Sequence, residues 1–237
     1  MHQDERPPPA LAVLLSGDVE VKGRMPWSSN ATFLTEVRCG PDELRAVYKP
    51  LRGERPLWDF PSGLYRREVA AYRLSELLGW GLVPETIVRV DAPLGEGSLQ
   101  RFVEADFEQH YFTLYEDEAH HTVLRRMCAF DIVANNTDRK SGHCLLTPAD
   151  GRIWGIDNGL CFSTHAHVRT VIWEFGGEVV PDDILEDLAA LEPGDAFDGL
   201  LDEDEIEAIV DRADALVADG VFPVADAYGR AYPWPLV

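Results

Sequence analysis

Two carboxylates stand at the two ends of one predicted β-hairpin. The segments Cys-Leu-Leu-Thr and Arg-Ile-Trp-Gly-Ile are joined by a turn with Asp150-Gly151 at its tip, which is typical of a hairpin. Asp138 precedes the hairpin and Asp157 follows it. Because an antiparallel hairpin brings its outer ends together, we expect the two carboxylates to lie side by side. Such a pair suits phosphoryl transfer, in which one carboxylate orients and deprotonates a hydroxyl and the other holds a divalent metal against nucleotide phosphates.

A plainer interpretation of the same residues is an acidic surface hairpin together with an aspartate that caps a helix. Aspartate is common in loops and turns because its side chain hydrogen-bonds to the nearby backbone. The hairpin alone therefore leaves both interpretations open.

The residues around the hairpin resemble the catalytic segments of known kinases. Asp138-Arg139-Lys140-Ser141-Gly142-His143 resembles the Asp-Arg-His-x-x-Asn catalytic loop of phosphatidylinositol 3-/4-kinases. Asn136-Thr137-Asp138 is similar to the opening of that loop in HipA-type serine/threonine kinases. Gly155-Ile156-Asp157-Asn158-Gly159 resembles the metal-binding Asp-Phe-Gly segment. The whole chain is similar to a bacterial family of phosphatidylinositol 3-/4-kinase-like proteins.

The resemblance implies a role for each charged residue of the loop. Asp138 would orient and activate the acceptor hydroxyl, and either Arg139 or Lys140 would stabilise charge on the transferred group. Asp157 would hold Mg²⁺ or Mn²⁺ together with His143, which occupies the position of a metal-binding asparagine in kinases. A neutral imidazole is a softer ligand than an amide oxygen and suits Mn²⁺ or Zn²⁺ better than Mg²⁺. His143 therefore either alters the metal preference or marks a degenerate site.

A lysine and a glutamate in the first half of the chain are candidates for binding nucleotide phosphates. Lys49 ends an apolar strand, and the helix predicted over 64–78 carries Glu68 among small and apolar side chains. A carboxylate that faces inward needs a cation, and Lys49 is the candidate. In kinases this pairing orients the lysine onto nucleotide phosphates. Arg66 and Arg67 are the alternative partners, along the helix itself.

Two further segments are expected to contact ATP. A turn between the first strands carries small hydroxyl and amide groups that can donate to phosphate oxygens, although such residues populate any turn. The backbone after the last strand of the sheet would meet the adenine edge, an inference from position alone. The residues concerned are Ser28, Ser29 and Asn30 in the turn, and Phe102, Val103 and Glu104 at the predicted hinge.

Composition predicts a globular cytoplasmic protein. The chain has 237 residues, of which 46% are hydrophobic and 10% aromatic. No apolar run approaches the ~20 residues of a membrane span, and the proline-rich beginning lacks the apolar core of a secretory signal. The four cysteines lack the spacing of a metal or redox motif and are expected to be reduced, mostly buried thiols.

The charge distribution restricts the partners. The net charge is −21, and the segment 174–219 holds 17 acidic residues against one arginine. A field of this sign repels nucleic acids and anionic lipid surfaces, so we expect neither nucleic-acid binding nor stable membrane association. Only Arg169 is permanently cationic between Asn158 and Trp173, which argues against a phosphoinositide acceptor. His165 and His167 in the same segment indicate a metal only faintly.

The sequence predicts a two-lobed, protein-kinase-like α+β fold. Residues 1–104 would form an N-lobe with an antiparallel sheet and one helix, and residues 105–237 a mainly helical C-lobe. Strands are predicted at 11–25, 31–38, 44–49, 86–90 and 98–103, and helices at 64–78, 121–134, 181–191 and 202–218.

The predicted reaction is transfer of the ATP γ-phosphoryl group to a hydroxyl of a protein or a soluble small molecule. Two alternatives stay open. One is a nucleotide-binding pseudokinase that acts as a regulatory scaffold, and the other is a nucleotidyl transferase that delivers AMP.

Overall fold

The computed structural model describes residues 10–26, 28, 30–165, 167–225 and 231–236. It divides into two compact units, the first formed by residues up to 69 together with 84–102, and the second by 70–83 together with 103–237. The predicted division into 1–104 and 105–237 differs from these units at the segment 70–83 and at residues 103–104, which belong to the second unit. As a division between folding domains it stays a prediction.

The first unit contains a five-stranded antiparallel sheet with the order β1-β2-β3-β5-β4. Side chains alternate between the two faces of the central strand β3, so Ala46 and Tyr48 are buried in a core and Lys49 lies on the other face. The core is apolar and fills the space between the sheet and a short helix. The strands are β1 Asp18–Arg24, β2 Phe33–Cys39, β3 Asp42–Pro50, β4 Thr86–Arg89 and β5 Gly97–Arg101.

The strand predicted over 11–25 is wrong in its first half. A helix, α1, occupies Ala10–Ser16, and β1 begins only at Asp18. The apolar run Leu-Ala-Val-Leu-Leu has no polar interruption, so its periodicity does not distinguish a strand from a buried helix. The helix buries Leu14 in the core, and Arg89 closes its end by donating to the carbonyl oxygens of Leu14 and Gly17 at 2.7 and 3.0 Å.

The predicted helix after the sheet is present as α2, Leu64–Leu77. Its first residues belong to the first unit and the remainder, from Ala70, to the second. Ser75 accepts hydrogen bonds from the backbone N–H groups of Leu82 and Val83, which fixes the turn that follows the helix. A short 3-10 helix, Leu51–Gly53, lies between β3 and α2.

The second unit is mainly helical and carries the predicted hairpin. Helix α4 is buried over most of its surface, as its apolar sequence predicts. Helix α6 begins with an acidic capping box of Asp202 and Glu205 and ends at Gly220 in the left-handed conformation. The elements are α3 Tyr111–Tyr115, α4 His121–Val133, β6 Cys144–Leu146, β7 Ile153–Gly155, α5 Asp182–Ala189 and α6 Glu203–Asp219, with 3-10 helices at Glu118–His120 and Ser141–His143.

Residues 231–236, here called the C-terminal strap, contain neither helix nor strand. The carbonyl oxygen of Ala231 accepts hydrogen bonds from the Thr170 amide and the Trp173 indole, at 3.1 and 2.9 Å. At the other end, the carbonyl oxygen of Leu236 accepts from the Ser141 amide at 2.8 Å. The strap is therefore tied to the rest of the second unit at both ends.

The cysteines are free thiols, as the sequence predicts, and all except Cys39 are buried. Burial raises the pKa of Cys144 to about 12, so this thiol stays protonated at neutral pH. In the residues that the structure describes, no helix combines the length and the apolar composition that a membrane span requires.

Candidate active site

A fully buried arginine organises the loop that follows α4. The Nε and Nη2 atoms of Arg139 donate to the carboxylate of Asp131 on α4, at 2.9 to 3.1 Å. Its Nη1 donates to the carbonyl oxygen of Ile156 and its Nη2 also to the side chain of Asn158, each at 2.7 Å. One guanidinium thus joins the helix, the loop and the segment after β7.

The carboxylate of Asp131 is saturated with hydrogen bonds. Besides Arg139 it accepts from the Asn136 amide at 3.0 Å and from the Thr170 hydroxyl at 2.9 Å. All four residues are buried, and this complete pairing offsets the large cost of removing two charges from water. Asn136 in turn accepts from the backbone N–H of Asp138 at 3.0 Å, so the network reaches the predicted base.

Two residues beside this network hold a left-handed backbone that is unfavourable without glycine. Asn135 has φ = 49° and Asp157 has φ = 57°. The Asn135 amide stabilises its own conformation by donating to the carbonyl oxygens of Ser163 and His165 and accepting from the His167 amide. Strained backbone of this kind is concentrated at functional sites, and here it occurs at the predicted metal ligand.

The carboxylates of Asp138 and Asp157 interact, as the hairpin predicts. The ends of the β6–β7 hairpin meet because the Ile156 amide donates to the carbonyl oxygen of His143 at 3.0 Å. Burial raises the pKa of Asp138, and the charge of Asp157 raises it further. A hydrogen-bonded ion pair with Lys140 acts in the opposite direction. Asp138 is therefore a stronger base than an exposed carboxylate and still reaches a cavity.

His143 and Asp157 present two ligand atoms to one point. The Nε2 of His143 lies 3.4 Å from an oxygen of Asp157. Adjacent ligands of one ion at bond lengths of about 2.0–2.2 Å are roughly 3.0–3.5 Å apart, so the pair fits a shared metal. Among the described residues no group of three or more His, Cys, Asp or Glu side chains could hold a metal. Since Mg²⁺ is often bound by one or two protein ligands plus phosphate oxygens, two ligands suit a metal that arrives with a nucleotide. The metal role stays a prediction.

The predicted pairing of Lys49 with Glu68 is present in the first unit. Lys49 on β3 forms an ion pair with Glu68 on α2, whose side chain is only 3% exposed. Of the alternative partners, Arg66 donates to the hydroxyl of Tyr65 at 2.8 Å, and Arg67 lies over a phenylalanine ring. The carboxylate therefore fixes the lysine, and phosphate binding by Lys49 stays a prediction.

The predicted phosphate-binding turn is partly described. The Ser28 hydroxyl hydrogen-bonds to the Thr32 hydroxyl at 2.7 Å, and the Asn30 side chain accepts from the Arg55 amide at 3.0 Å. Ser29 lies outside the described residues. The side chains of Ser28 and Asn30 thus brace the turn itself, and their contact with phosphate stays a prediction.

At the predicted hinge the chain passes from the first unit to the second between Phe102 and Val103. The Phe102 amide donates to the carbonyl oxygen of Arg45 at 2.9 Å, and the Arg45 guanidinium lies over the phenylalanine ring. This amide is occupied and is unsuited to adenine. Val103 is buried and Glu104 exposed, and the adenine contact of this segment stays a prediction.

A cavity of about 670 Å³ adjoins Asp138. Sequence reasoning missed it, because its walls come from distant parts of the chain, and it also missed the partner of Arg139. One signal for that partner was available in the sequence. Asp131 is an acidic residue in an otherwise apolar stretch of a helix that is expected to be buried, so it needs a cation, and Arg139 follows eight residues later. The cavity is lined by Thr137, Asp138, Arg169, Ala231, Tyr232, Pro233, Trp234 and Leu236.

Comparison with solved structures identifies the class of fold. The chain resembles Fam20 from hydra, solved with a sugar, with a TM-score of 0.51, 15% identity and coverage of 89% of this chain and 86% of that one. A Helicobacter pylori proinflammatory kinase, CtkA, matches with a TM-score of 0.48, 13% identity and coverage of 87% and 93%. The likeness to Fam20 confirms the predicted kinase-like α+β fold.

Sequence comparison places the chain in a family. It is 39% identical to protein Rv2133c of Mycobacterium tuberculosis over 266 aligned positions, which cover 94% of each protein. The chain belongs to the family of that mycobacterial protein. No established family model matches it, and the specific likeness to phosphatidylinositol 3-/4-kinases stays a prediction.

Replacing Asp131 by asparagine should destabilise the protein strongly. The change leaves the charge of Arg139 buried without a counter-ion, which costs about 3–5 kcal/mol. Asp183→Asn is the matched control. Asp183 pairs with Arg126, which lies on α4 as Asp131 does, but this ion pair is more exposed, so its loss should lower the free energy of unfolding by only about 0–1 kcal/mol. Urea unfolding gives both free energies of unfolding. Equal losses would mean that the buried network does not hold the loop.

Replacing Lys140 by methionine should raise the pKa of Asp138. The lysine stabilises the charged carboxylate by an ion pair, while burial and Asp157 favour the protonated form. Without the lysine, Asp138 should hold its proton to a higher pH. Carbon-13 NMR of the labelled carboxyl group measures this directly. Lys22→Met, which removes a lysine paired with glutamates on the first two strands, should leave the titration unchanged. An unaltered pKa in Lys140→Met would refute the pairing.

Proposed function

We propose that this protein is an ATP-dependent phosphotransferase that moves the γ-phosphoryl group to a hydroxyl. The observation that carries the proposal is the interacting pair Asp138 and Asp157, held at the joined ends of one hairpin by the buried Arg139 network. The kinase-like fold supports the same reaction class.

Asp138 is the proposed general base. It would take the proton of the acceptor hydroxyl as the acceptor oxygen forms a bond to the γ-phosphorus. The bond from that phosphorus to the bridging oxygen breaks, and ADP leaves with the electron pair. The proton then passes from Asp138 to solvent. Because burial raises the pKa of Asp138, the group accepts a proton more readily than an exposed aspartate would.

Lys140 is the proposed stabiliser of charge on the transferred group. Arg139, the other candidate, is fully buried, and all three of its guanidinium nitrogens donate hydrogen bonds within the network. Lys140 is partly exposed and lies beside Asp138. Its ammonium group can therefore contact a phosphoryl oxygen while it keeps the base charged.

The remaining groups would hold ATP and its metal. Lys49, fixed by Glu68, would bind phosphate oxygens. Asp157 and His143 would hold Mg²⁺ or Mn²⁺, which when bound neutralises phosphate charge. The acidic character of the chain favours a soluble or protein acceptor over an anionic lipid.

A regulatory pseudokinase is the second candidate, because a histidine stands where kinases carry a metal-binding asparagine. The Lys140 amide donates to Nδ1 of His143 at 3.4 Å, which leaves the ring proton of a neutral imidazole on Nε2, the nitrogen that faces Asp157, and so opposes metal binding there. Such a protein would bind ATP without turnover.

The Asp138→Asn variant decides between an enzyme and a scaffold. Loss of the base should reduce ATP consumption with Mg²⁺ or Mn²⁺ by about 10²–10⁴-fold. Asp150→Asn, at the exposed tip of the hairpin, is the matched control and should keep full activity. ADP release is measured by a coupled assay, and mass spectrometry of the products separates phosphate from AMP transfer. A wild-type protein that binds ATP but turns over no faster than Asp138→Asn would be a scaffold.

The His143→Asn variant tests the metal site. Since second-layer partners of metal ligands already change affinity by about 10–100-fold, loss of a direct ligand should weaken Mn²⁺ at least about tenfold and favour Mg²⁺. The rate is measured against the concentration of each metal. His165→Asn, which alters an exposed histidine of the same unit, should change neither curve. A curve for His143→Asn identical to wild type would exclude His143 as a ligand.

A further inference from the structure

The cavity beside Asp138 has the size of a small-molecule site. Its volume is about 670 Å³, within the range of about 300–1,000 Å³ that is common for ligand pockets. Thr137 and Asp138 supply one wall from the loop after α4, and the C-terminal strap supplies another. A compound in this cavity would be within reach of the proposed base.

The strap places two aromatic side chains, Tyr232 and Trp234, at this cavity. Its anchored ends, Ala231 and Leu236, fix a segment in which two of the four intervening residues are prolines. Prolines restrict the backbone, so little entropy is lost when a ligand binds against it. Trp234 is 89% exposed and Tyr232 is 50% exposed, although both line the cavity. Exposed aromatic rings on a rigid support are typical of a binding surface.

Among the described residues that line the cavity, Arg169 is the one permanent cation. Its backbone is fixed, since its N–H donates to the carbonyl oxygen of Asn136 at 2.8 Å and its own carbonyl accepts from Arg139 at 3.0 Å. Its side chain contacts the ring of His167, while its Nε is buried and lacks a hydrogen-bond partner.

The positive charge of Arg169 is not compensated within the described residues. No carboxylate there forms an ion pair with it, and Asp138, which shares the cavity, is paired with Lys140. An anion in the cavity would pair with this charge through a charge-assisted hydrogen bond. The net charge of the chain is −21, so most of its surface repels anions. A cation without a carboxylate partner beside the proposed base therefore indicates that the cavity prefers a negatively charged ligand.

We propose that this cavity is the acceptor site and that it takes a small soluble hydroxyl compound with one phosphate or carboxylate group. The anion would pair with Arg169, the body would pack on Tyr232 and Trp234, and the hydroxyl would reach Asp138. A single arginine matches one such group through a charge-assisted hydrogen bond. The role of the bound compound as acceptor rests on the proposed phosphotransfer, whereas anion binding at Arg169 does not.

Binding of matched probes to the protein tests the site. Calorimetry compares glycerol 3-phosphate with glycerol, and gluconate and glucose 6-phosphate with glucose. At least one anionic probe should bind about tenfold or more tightly than its neutral partner, as a charge-assisted hydrogen bond allows. Arg169→Ala should abolish this preference and Arg169→Lys should keep part of it. Arg125→Ala, which alters an arginine paired with Glu178, is the control and should retain it. Trp234→Ala should weaken the binding of the anionic probe and of its neutral partner alike.

The outcomes separate this inference from the proposed reaction. The inference is overturned if no anionic probe binds more tightly than its neutral partner, or if Arg169→Ala keeps the preference. It is also overturned if a serine peptide binds in place of every small compound. If Arg169-dependent binding is found but Asp138→Asn consumes ATP as fast as wild type, the anion site stands and phosphotransfer fails. If the bound probe accelerates ATP consumption only when Asp138 is present, both are supported.

Discussion

The second unit depends on one buried ion pair. Arg139 and Asp131 are both buried. The free-energy cost of removing their charges from water is offset because the atoms of the carboxylate and of the guanidinium all have hydrogen-bond partners. The arginine reaches the segment after β7 through Ile156 and Asn158, while the aspartate reaches the loop through Asn136. The same pair therefore sets the positions of both proposed reactive carboxylates. Arg139 acts as a support, and its partly exposed neighbour Lys140 is the proposed contact to the transferred group.

Three partly exposed cations of this acidic chain lie at its proposed sites. Lys49, Lys140 and Arg169 each stand at a site where a negatively charged group is expected, and two of them are held by a carboxylate that fixes their position. Only Arg169 is without such a partner in the described part of the chain. This difference is the physical reason to assign the first two to the nucleotide and its reaction, and the third to the acceptor.

Much of the architecture follows from local patterns. The hairpin is marked by its Asp-Gly turn, α4 by an apolar surface on all sides, and α6 by an acidic start and a glycine end. The helix α1 was missed because a short apolar run fits two periodicities equally well. The pairing of Lys49 with Glu68 was predictable because an inward-facing carboxylate on a helix requires a cation nearby.

The sequence by itself determined most of the succession of strands and helices, apart from α1, together with the interaction of Asp138 with Asp157 and the acidic character of the chain. These depend on residues that are neighbours in the chain or on either side of one turn. Only the tertiary structure decided that Arg139 is buried and Lys140 partly exposed, although the two are adjacent and similarly charged. It also decided that the C-terminal strap lines the cavity beside Asp138. Both outcomes depend on contacts between distant segments, and such contacts leave no periodic pattern in a single sequence.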